Sequence, residues 1–516
     1  MFYWQIPQTG ASVQADSAAL ISPSQSRQLS WRQLVDRIDR VASVVTSIVS
    51  APGERVGVLM KNGLHQPELY FGIAKAGCVV VPLNWRLSDS ELSAIVGDSG
   101  ATLVFVDREF GDRCPDGVRA LVVTDGSRAT ESYEKALSSS TPDGHGPPAA
   151  HEDDAAMLAY TSGTTGEPKG VVHTHRSLTE SALRIAGEMR LGAGDVFYTC
   201  LPMFFAGANS AMAAPLLRGC TLVCDDFAPE RFVSAVVEHQ VSATLMVPTM
   251  IAKVIDEVDD PRVLEGVRHW GYAGDAMPPQ LMQRVLDLFG QVFVGYYGQV
   301  ESGLVGTTLM ARDHPIDTQA SPRIRSSGRP TIGIELRIVD MHTGDDVPND
   351  GTTAGELWIK SPSVMRGYWN LPDLTAERLI DGWLRTSDIG VRDREGYVYL
   401  VDRATDVIIS GGVNIYPRQV ENVIVKHPEV VQVAVVGVPS ELWGQEVVAC
   451  LELVDLANET MVLNEIQRIC RDELAGYKRP RRLVAFAELP LTGSGKVRKA
   501  SLRNMLISRP GERDLP

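Results

Sequence analysis

The sequence lacks any hydrophobic run long enough to cross a membrane as a helix. Its longer apolar stretches, at residues 78–83 and 243–247, are far shorter than the roughly 20 residues that a spanning helix needs. The amino terminus, MFYWQIPQTG, also lacks the basic start and apolar core of a secretory signal. We therefore expect a soluble, cytoplasmic protein without integral membrane association.

Cysteine is scarce as well. Seven thiols are scattered over 516 residues, and this odd number is typical of reduced thiols in a cytoplasm rather than of a disulfide framework. Cys220 and Cys224 lie four positions apart without a second pair, which favours buried packing over a zinc site.

Positive charge is in the minority, because 49 lysines and arginines face 64 aspartates and glutamates, giving a formal charge of −15. This balance argues against nonspecific binding to nucleic acid and favours solubility. Any polyanionic ligand must therefore meet local groups of basic residues.

The chain is long enough for at least two domains. From about residue 54, short β-branched runs such as RVGVLM and CVVVPLN alternate with longer amphipathic stretches. This alternation is typical of an α/β fold with helices on the faces of its sheets. After Gly355 the strands become shorter, and GYVYLVDRATDVIISGG has the character of a domain joint. We predict an α/β domain over residues 1–402 and a small α+β unit over residues 403–516.

One loop stands out from this background. The stretch YTSGTTGEPKGVVHTH begins at Tyr160 and places hydroxyls and glycines before Lys169. Hydroxyls and backbone N–H groups in such a turn can converge on phosphate oxygens, and the lysine adds positive charge. The spacing differs from that of a P-loop, because Glu167 and Pro168 separate Gly166 from the lysine. Taken alone, the loop fits a surface linker as well as a phosphate site.

Further motifs favour the phosphate site. The stretch TSGTTGEPKG resembles the phosphate-binding loop of the adenylate-forming superfamily, which includes acyl-CoA synthetases, luciferases and the adenylation domains of nonribosomal peptide synthetases. The resemblance covers residues 30–503, with companion motifs that follow in order: YAGDAMP, YYGQVE, GELWIKSPSVMRGYW, DGWLRTSDIG, VDRATDVIISGGVNIYP and LPLTGSGKVRK.

The resemblance implies both an architecture and a reaction. The expected fold has a large N-terminal domain of stacked mixed sheets flanked by helices, which binds ATP and an acid, and a small mobile C-terminal α+β domain. A carboxylate oxygen departs too poorly for a thiol to displace it, so ATP first converts the acid to an acyl-adenylate and releases pyrophosphate. A thiol then displaces AMP.

The resemblance also assigns roles at the nucleotide. Glu301 resembles the Mg²⁺-binding carboxylate, a hard oxygen ligand that suits this ion, and Thr161 joins it indirectly. Asp388 resembles the carboxylate that accepts both ribose hydroxyls, with Arg403 as its partner. Lys496 resembles the catalytic lysine that bridges the acid and the α-phosphate. The other ATP- or AMP-binding positions are Ser162, Gly163, Thr164, Thr165, Gly166, Lys169, Gly274, Asp275, Ala276, Tyr297, Gly298, Gln299 and Val300.

Some of these positions are expected to contact the adenine base. Residues 274–276 resemble the strip that lies along the adenine, and Tyr297 resembles the ring that stacks on it. Outside their motifs, each of these positions would be ordinary turn, core or surface structure.

The thiol is expected to be that of coenzyme A, with a carrier protein as the alternative. The positions that resemble CoA contacts are Arg86, Gly411, Gly412, Trp443, Tyr477, Lys478 and Arg479. Aromatic faces suit the nucleotide of CoA, arginines suit its phosphates, and glycines let pantetheine pass close to the backbone. The expected partners are small molecules only, and the protein would be a monomer or a homodimer.

The acid is expected to be apolar, with space for a bulky group, because no cation marks a second charged group in the stretches that form the pocket. These stretches supply Phe205, Ala206, Gly207, Ala208, Val247, Gly271, Tyr272, Tyr296, Gly303 and Leu304.

Several departures from the family pattern affect the first half-reaction. Phe205 stands where relatives often have histidine, and Val300 replaces a threonine whose hydroxyl can meet the α-phosphate. Thr405, two residues after Arg403, occupies the hinge position about which the C-terminal domain rotates in relatives, where Asp or Lys is common. Val413 replaces a frequent glutamate. We therefore hypothesise that adenylation is weakened and that a preformed acyl-adenylate is used.

Three functions are compatible with these motifs: a carboxylate–CoA ligase, an adenylation enzyme that loads a carrier protein, and a nucleotide-binding regulator without catalysis. Retention of Lys496, Glu301 and Asp388 favours the two enzymes. His173 and His175 are interpreted as helix-entry residues with no assigned chemistry.

Overall fold

The computed structural model describes residues 1–115, 117–123, 133–141, 151–162, 168–315, 321–411, 413–440, 442–491 and 497–508. Its helices are α1 (Ile6–Gln14), α2 (Trp31–Ile48), α3 (His65–Lys75), α4 (Asp89–Ser99), α5 (Tyr133–Ser139), α6 (His175–Glu188), α7 (Ala206–Leu217), α8 (Pro229–His239), α9 (Pro248–Glu257), α10 (Pro279–Phe289), α11 (Pro372–Arg378), α12 (Pro417–Ile424), α13 (Glu459–Glu473) and α14 (Lys499–Ser508).

The strands alternate with these helices over the first 300 residues and dominate the next hundred. They are β1 (Ala18–Ser22), β2 (Arg27–Ser30), β3 (Arg55–Leu59), β4 (Val79–Pro82), β5 (Leu103–Val106), β6 (Arg119–Val122), β7 (Ala155–Ser162), β8 (Pro168–Thr174), β9 (Val196–Thr199), β10 (Thr221–Cys224), β11 (Ala243–Met246), β12 (His269–Tyr272), β13 (Phe293–Tyr297), β14 (Thr307–Leu309), β15 (Arg329–Pro330), β16 (Glu335–Val339), β17 (Gly355–Lys360), β18 (Gly367–Tyr368), β19 (Leu379–Ile380), β20 (Trp383–Arg392), β21 (Val398–Arg403), β22 (Ile408–Ser410), β23 (Val413–Ile415), β24 (Val430–Ser440), β25 (Gly444–Leu453) and β26 (Arg482–Phe486).

Among the described residues these strands form four sheets. Two large mixed sheets have the orders β15-β14-β13-β12-β11-β9-β10-β1-β2 and β18-β8-β7-β4-β3-β5-β6. A third, antiparallel sheet has the order β16-β17-β20-β19, with β21 also paired to β20. The fourth, β23-β22-β25-β24 with β26 on β25, belongs to the C-terminal part of the chain. The predicted architecture, a large N-terminal α/β domain of several mixed sheets and a small C-terminal domain, is confirmed.

The domain boundary after residue 402 remains a prediction. Strand β21 continues through Arg403, and the first strand of the fourth sheet begins at Ile408. Residues 404–407 separate these two strands and lie within GYVYLVDRATDVIISGG, the stretch that the sequence singled out as a domain joint.

Side-chain alternation gives the nine-stranded sheet two cores, one on each face. On β13, Val294 and Tyr296 face the core that contains the helix α7, whereas Phe293 packs with Trp270 in the other core. Successive residues of a strand point to opposite faces, so neighbours along one strand can serve different cores.

A buried ionic cluster joins α2, α3 and α5. Glu68 is fully buried and accepts hydrogen bonds from Arg37 (Nη2, 2.8 Å), His65 (Nδ1, 2.9 Å) and Tyr133 (hydroxyl, 2.6 Å). Burial by itself raises the pKa of the Glu68 carboxyl, but the bonds from Arg37 and His65 outweigh it and lower the pKa to about 2. This carboxylate is therefore stabilised in its charged form.

Replacing Glu68 by glutamine is expected to lower the free energy of unfolding of the N-terminal domain by about 3–5 kcal/mol, because Arg37 loses its buried counter-charge. In urea denaturation the matched control, Glu134→Gln on the 43% exposed partner of the same arginine, should cost about 1 kcal/mol or less. The stabilisation should be lost as pH falls from about 4.5 towards 2, since the folded pKa lies below the unfolded one. Equal, small losses for both variants would contradict this account.

Candidate active site

Two parallel strands bring the predicted adenine-binding residues to one edge of the nine-stranded sheet. Strands β12 and β13 pair with Tyr272 opposite Gly295, so the segments that follow them leave from the same end. Residues 274–276 follow β12, and Tyr297 ends β13. Gly274 has φ of +85°, a conformation that suits glycine. Ligand sites in such sheets form at these strand ends.

Asp388 is the centre of the predicted ribose site. The register of β20 and β21 places it directly opposite Arg403, whose Nε lies 3.2 Å from Oδ1. Oδ2 accepts from the hydroxyl of Tyr297 at 2.7 Å and from Nε2 of Gln299 at 2.6 Å. The structure thus brings together four residues that lie in three separate sequence motifs.

The hydrogen-bonding capacity of Asp388 limits how a ribose can bind. An ionised carboxylate accepts about four hydrogen bonds. Oδ2 already accepts two and Oδ1 is paired with Arg403, so two ribose hydroxyls would displace one of these partners. Arg403 is the donor with the most freedom to leave, since its side chain is 56% exposed. Burial raises the pKa of Tyr297 well above its usual range, and the charge of Asp388 raises it further, so this phenol stays a donor.

Close packing explains Gly298. A Cβ at this position would lie 2.3 Å from the carbonyl carbon and oxygen of Leu304, so a larger residue would push apart the turn that follows β13. Gln299 also donates to the carbonyl of Thr386 at 2.8 Å, which links this turn to β20.

The predicted phosphate loop connects β7 and β8, an antiparallel hairpin in which Thr161 lies opposite Lys169. The Thr161 hydroxyl is 3.5 Å from the Lys169 carbonyl oxygen. Other predicted positions lie outside the described residues, namely the side chain of Ser162 together with Gly163, Thr164, Thr165, Gly166, Gly412 and Lys496.

Glu301 lies in a short 3₁₀ turn, Val300–Ser302, immediately beyond β13. The hydroxyl of Tyr368 donates to its Oε1 at 2.9 Å, and the amide of Met365 donates to its carbonyl oxygen at 2.8 Å. Among the described residues, no hydrogen bond is made to Oε2. One carboxylate oxygen together with substrate phosphates is a donor set that suits Mg²⁺, so these residues fit the ion. Within the described part of the chain, no group of three or more His, Cys, Asp or Glu side chains could hold a metal.

His173 connects the loop hairpin to the Glu301 turn, a role that no sequence pattern indicated. Its Nε2 lies 2.9 Å from the carbonyl oxygen of Val300, and its Nδ1 lies 3.2 Å from the hydroxyl of Ser177. A carbonyl only accepts, so Nε2 carries the proton. Burial lowers the pKa of His173 to about 4, against the effect of the Val300 bond, and the ring is neutral near pH 7. His175 begins α6, as expected of a helix-entry residue.

The first part of the predicted acyl pocket lies at the start of α7. Phe205 immediately precedes the helix, is 38% exposed and packs against the preceding phenylalanine in a tilted arrangement, with ring centroids 4.5 Å apart. Ala206 and Ala208 are buried. Leu304, at φ of +72°, lies over Gly207, and its Cδ2 is 3.6 Å from the position of a Cβ there. Small residues on α7 thus face a leucine from the β13 turn.

Two glycines of the predicted pocket are fixed by packing. A Cβ at Gly271 would lie 2.5 Å from a leucine methyl on β11, and one at Gly303 would lie 2.5 Å from a serine carbonyl oxygen. Val247 precedes α9, and its Cγ1 lies 3.3 Å from the position of a Cβ at Gly274. Val247 therefore lies beside the start of the predicted adenine strip.

The two tyrosines predicted for the acyl pocket lie on opposite faces of the sheet. Tyr296 packs in the core that contains α7, and its buried hydroxyl has no protein partner among the described residues. Tyr272 packs in the other core, with its hydroxyl 3.1 Å from Nε2 of His314. The proposed contribution of the Tyr272 side chain to the pocket is thus not supported, because strand alternation turns it away from α7.

The predicted CoA surface includes Trp443, which is 37% exposed and whose carbonyl accepts from the amide of Gly411 at 2.9 Å. Gly411 has φ of +58°, and a Cβ there would lie 3.2 Å from the indole ring. The guanidinium carbon of Arg481 lies 3.9 Å from the centre of that ring. Arg481 is a cation–π partner that the sequence motifs did not single out.

The cations around Tyr477 have different roles. Lys478 lies 5.6 Å from the ring centre of Tyr477 and donates to Gln419 at 2.8 Å. Arg479 donates to the carbonyls of Leu474 and Arg471 at 2.9 and 2.8 Å, so it caps the end of α13. In the N-terminal domain, Arg86 lies over the neighbouring Trp85 ring, 5.0 Å from its centre.

The predicted hinge residue is exposed and lies in a turn. The carbonyl of Arg403 accepts from the amides of Asp406 and Val407, at 3.0 and 3.1 Å, so two hydrogen bonds pass over Thr405.

The helices of the described residues include none that is long and apolar enough to span a bilayer.

Comparison with known families matches almost the whole chain. The model of the AMP-binding enzyme family matches residues 8–369, and that of the AMP-binding enzyme C-terminal domain matches residues 419–496. Long-chain-fatty-acid–CoA ligase FadD13 of Mycobacterium tuberculosis is 34% identical over 97% of both chains. Fatty acid–[acyl-carrier-protein] ligase ScoC of Streptomyces coeruleorubidus is 32% identical over 92% of this chain and 93% of that protein.

Solved structures show the same architecture. The Mycobacterium tuberculosis fatty acyl CoA synthetase superposes with a TM-score of 0.77 at 31% identity, over 98% of both chains. The o-succinylbenzoate CoA synthetase from Bacillus subtilis, in complex with its acyl-adenylate intermediate, superposes with a TM-score of 0.85 at 26% identity, over 100% of this chain and 99% of that one.

Proposed function

We propose, from the premise that this chain belongs to the AMP-binding enzyme family, that it joins an apolar carboxylic acid to coenzyme A through an acyl-adenylate. The family membership makes the chain an AMP-forming acid–thiol ligase. Coenzyme A as the acceptor and the apolar character of the acid are the parts that we propose.

The observation that carries this function is the convergence on Asp388. A buried carboxylate faces an exposed arginine across two strands, and two further donors come from the β13 turn. This arrangement can accept a vicinal diol and then release Arg403 towards a phosphate. Residues 274–276 at the neighbouring strand end give the adenine a place beside it.

Adenylation then depends on positioning and charge. Asp388 orients the ribose, while Thr161 and Lys169 flank the loop assigned to the phosphates. Glu301 would hold Mg²⁺ through Oε2, and the bound ion would supply positive charge at the phosphates. Lys496 is proposed to place its ammonium between the acid carboxylate and the α-phosphate, which favours their approach.

Support for coenzyme A comes from the C-terminal domain. Trp443 presents an indole face with Arg481 stacked against it, and Gly411 lets a chain pass close to the backbone. An aromatic face and a cation suit a nucleotide with phosphates. Because Arg479 caps α13, we assign the cation nearest this surface to Arg481.

The function is tested by incubating the protein with ATP, Mg²⁺, CoA and a panel of aliphatic and aromatic acids. Mass spectrometry should detect acyl-CoA, and AMP should form in equal amount. Formation of ADP, or of AMP without a thioester, would contradict the proposal. Trp443→Ala should raise the KM for CoA and leave the KM for ATP unchanged.

Carrier-protein loading is the second candidate, favoured by the resemblance to ScoC. The two acceptors are separated by supplying a synthetic acyl-adenylate with either CoA or a mixture of phosphopantetheinylated carrier proteins. A thioester on a carrier but not on CoA would replace the proposed acceptor.

We also propose that the adenylation step is weak. The isopropyl group of Val300 packs against an apolar cluster that includes Met365, and the Val300 carbonyl is already bonded to His173. Val300 therefore offers the nucleotide no hydroxyl, either from its side chain or from its backbone. At the acid, Phe205 supplies no polar group.

Val300→Thr is therefore expected to accelerate pyrophosphate release, with the best acid, by roughly ten- to a hundredfold, the value of a hydrogen bond to a charged group. Thioester formation from a preformed acyl-adenylate should not change. Val300→Ala serves as a control, since it removes bulk without adding a donor. Brisk pyrophosphate release by the unchanged protein, unaffected by Val300→Thr, would contradict the weakness of this step.

A further inference from the structure

Ser387, the residue before Asp388, has a backbone conformation that favours glycine. Its φ is +58°, in the left-handed region. A serine held there costs free energy, and such a conformation persists only where its surroundings impose it. The strain lies directly beside the carboxylate that we assign to the ribose.

Three elements impose this conformation, and each bonds a different group of Ser387. Its amide donates to Oε1 of Glu356 on β17 at 3.0 Å, and its carbonyl accepts from the amide of Ala404 at 2.7 Å. Its hydroxyl accepts from Nη1 of Arg378, the last residue of α11. All polar groups of the residue are thus partnered.

Arg378 contacts the turn at two points. Besides the Ser387 hydroxyl, its Nη2 donates to the carbonyl of Thr386 at 3.1 Å. Its Nε is buried without an acceptor among the described residues, which costs free energy. The two bonds reach consecutive residues, Thr386 and Ser387. One guanidinium therefore fixes the turn at two points.

We propose that Arg378 is a positioning residue that acts through Ser387: it holds the strained turn in which Asp388 meets both ribose hydroxyls. In this role Arg378 acts through the turn and not by contacting the nucleotide. This inference rests on the proposed ATP-dependent function, since it concerns how the same site recognises the ribose. A turn that relaxes would move the carboxylate away from Tyr297 and Gln299, which fix its other oxygen.

The test compares ATP with 2′-deoxy-ATP as substrates. The unchanged protein should prefer ATP in kcat/KM by roughly tenfold or more, because the deoxynucleotide loses a hydrogen bond to a charged acceptor. Arg378→Met should reduce this preference to about threefold or less. The loss should appear in the KM for ATP, with kcat nearly unchanged, because ribose binding is shared by ground and transition states.

Two further variants define the mechanism. Ser387→Ala leaves α11 intact and removes only the hydroxyl, so it should reduce the ATP preference in the same direction. Combined with Arg378→Met it should add little, because both changes break one contact. Arg394→Met, on an exposed turn arginine outside the site, is the matched control and should leave the preference unchanged.

An unchanged ATP preference in Arg378→Met would overturn the inference, even if the variant melts at a lower temperature. If that variant does not fold, Ser387→Ala decides by the same ratio. If the unchanged protein turns over no acid, the proposed function fails separately, and calorimetric affinities for AMP and 2′-deoxy-AMP then measure the same ratio without catalysis.

Discussion

Replacing Lys496 by methionine is expected to slow ATP-dependent pyrophosphate release by roughly a hundred- to a thousandfold, the cost of removing one charge-stabilising donor from a transition state. Methionine keeps much of the length and apolar volume of the side chain and removes only the ammonium. The thiol step needs no such bridge between two anions, so thioester formation from a synthetic acyl-adenylate should stay within about threefold of the unchanged rate. Measuring both half-reactions on the same variant separates a catalytic role from a general loss of structure.

The matched control is Arg498→Met, an exposed cation two residues further along the same motif. It should leave pyrophosphate release nearly unchanged. Equal losses for the two variants would show that the local positive charge matters and not the ammonium of Lys496. A loss confined to thioester formation would show that Lys496 acts in the thiol step and not in adenylation.

Glu301→Gln should lower kcat/KM for ATP by roughly a hundred- to a thousandfold and raise the Mg²⁺ concentration needed for half-maximal rate. Glutamine can still accept the hydrogen bond from Tyr368 through its Oε1, so the turn keeps its support and only the negative charge is lost. A Mg²⁺ titration of pyrophosphate release measures both effects.

Glu335→Gln provides the control for charge removal, because Glu335 is an exposed residue on the edge strand β16. It should leave the Mg²⁺ dependence unchanged. If Glu301→Gln lowers the rate equally at all Mg²⁺ concentrations, the carboxylate supports the fold of the turn and does not bind the ion.

Most of the architecture could be predicted because its signals are local. The alternation of β-branched runs with amphipathic stretches from residue 54 onwards indicated the α/β sheets. The shorter strands predicted after Gly355 were wrong, because β20, β24 and β25 are 10, 11 and 10 residues long, and a composition rich in turn residues does not report strand length. Sheet order could not be read in this way. Strand β1, near the amino terminus, pairs with β10 about two hundred residues later, and no local pattern records such a partner.

In the candidate site, too, residues within motifs could be predicted, and residues that meet only in the fold could not. Motifs indicated Asp388, Arg403, Tyr297 and Gln299, and the structure brings them into one cluster. Residues that act through other residues gave no signal. Tyr368 and His173 support the Glu301 turn through contacts formed only by the fold.

Two further differences have simple physical causes. Tyr272 lies within a pocket motif, but strand alternation turns its ring into the opposite core. Arg479 lies in the motif GYKRP that resembles a CoA contact, but it is taken up by the carbonyls at the end of α13, and Arg481 lies on the indole instead. In both cases the motif does not determine the direction in which one side chain points.

The hydrogen bonds that pass over Thr405, the predicted hinge residue, set how much free energy opening that turn would cost. Two amides share one carbonyl acceptor there, and opening the turn exchanges these bonds for bonds to water, at a net cost of roughly 1–3 kcal/mol. If the C-terminal domain rotates at this turn, as the sequence predicts, that cost corresponds to a closed-turn population about 5- to 150-fold above the open one. A nucleotide that draws Arg403 away from Asp388 pulls on the residue whose carbonyl closes the turn, and a bias of this size is small enough for substrate binding to reverse.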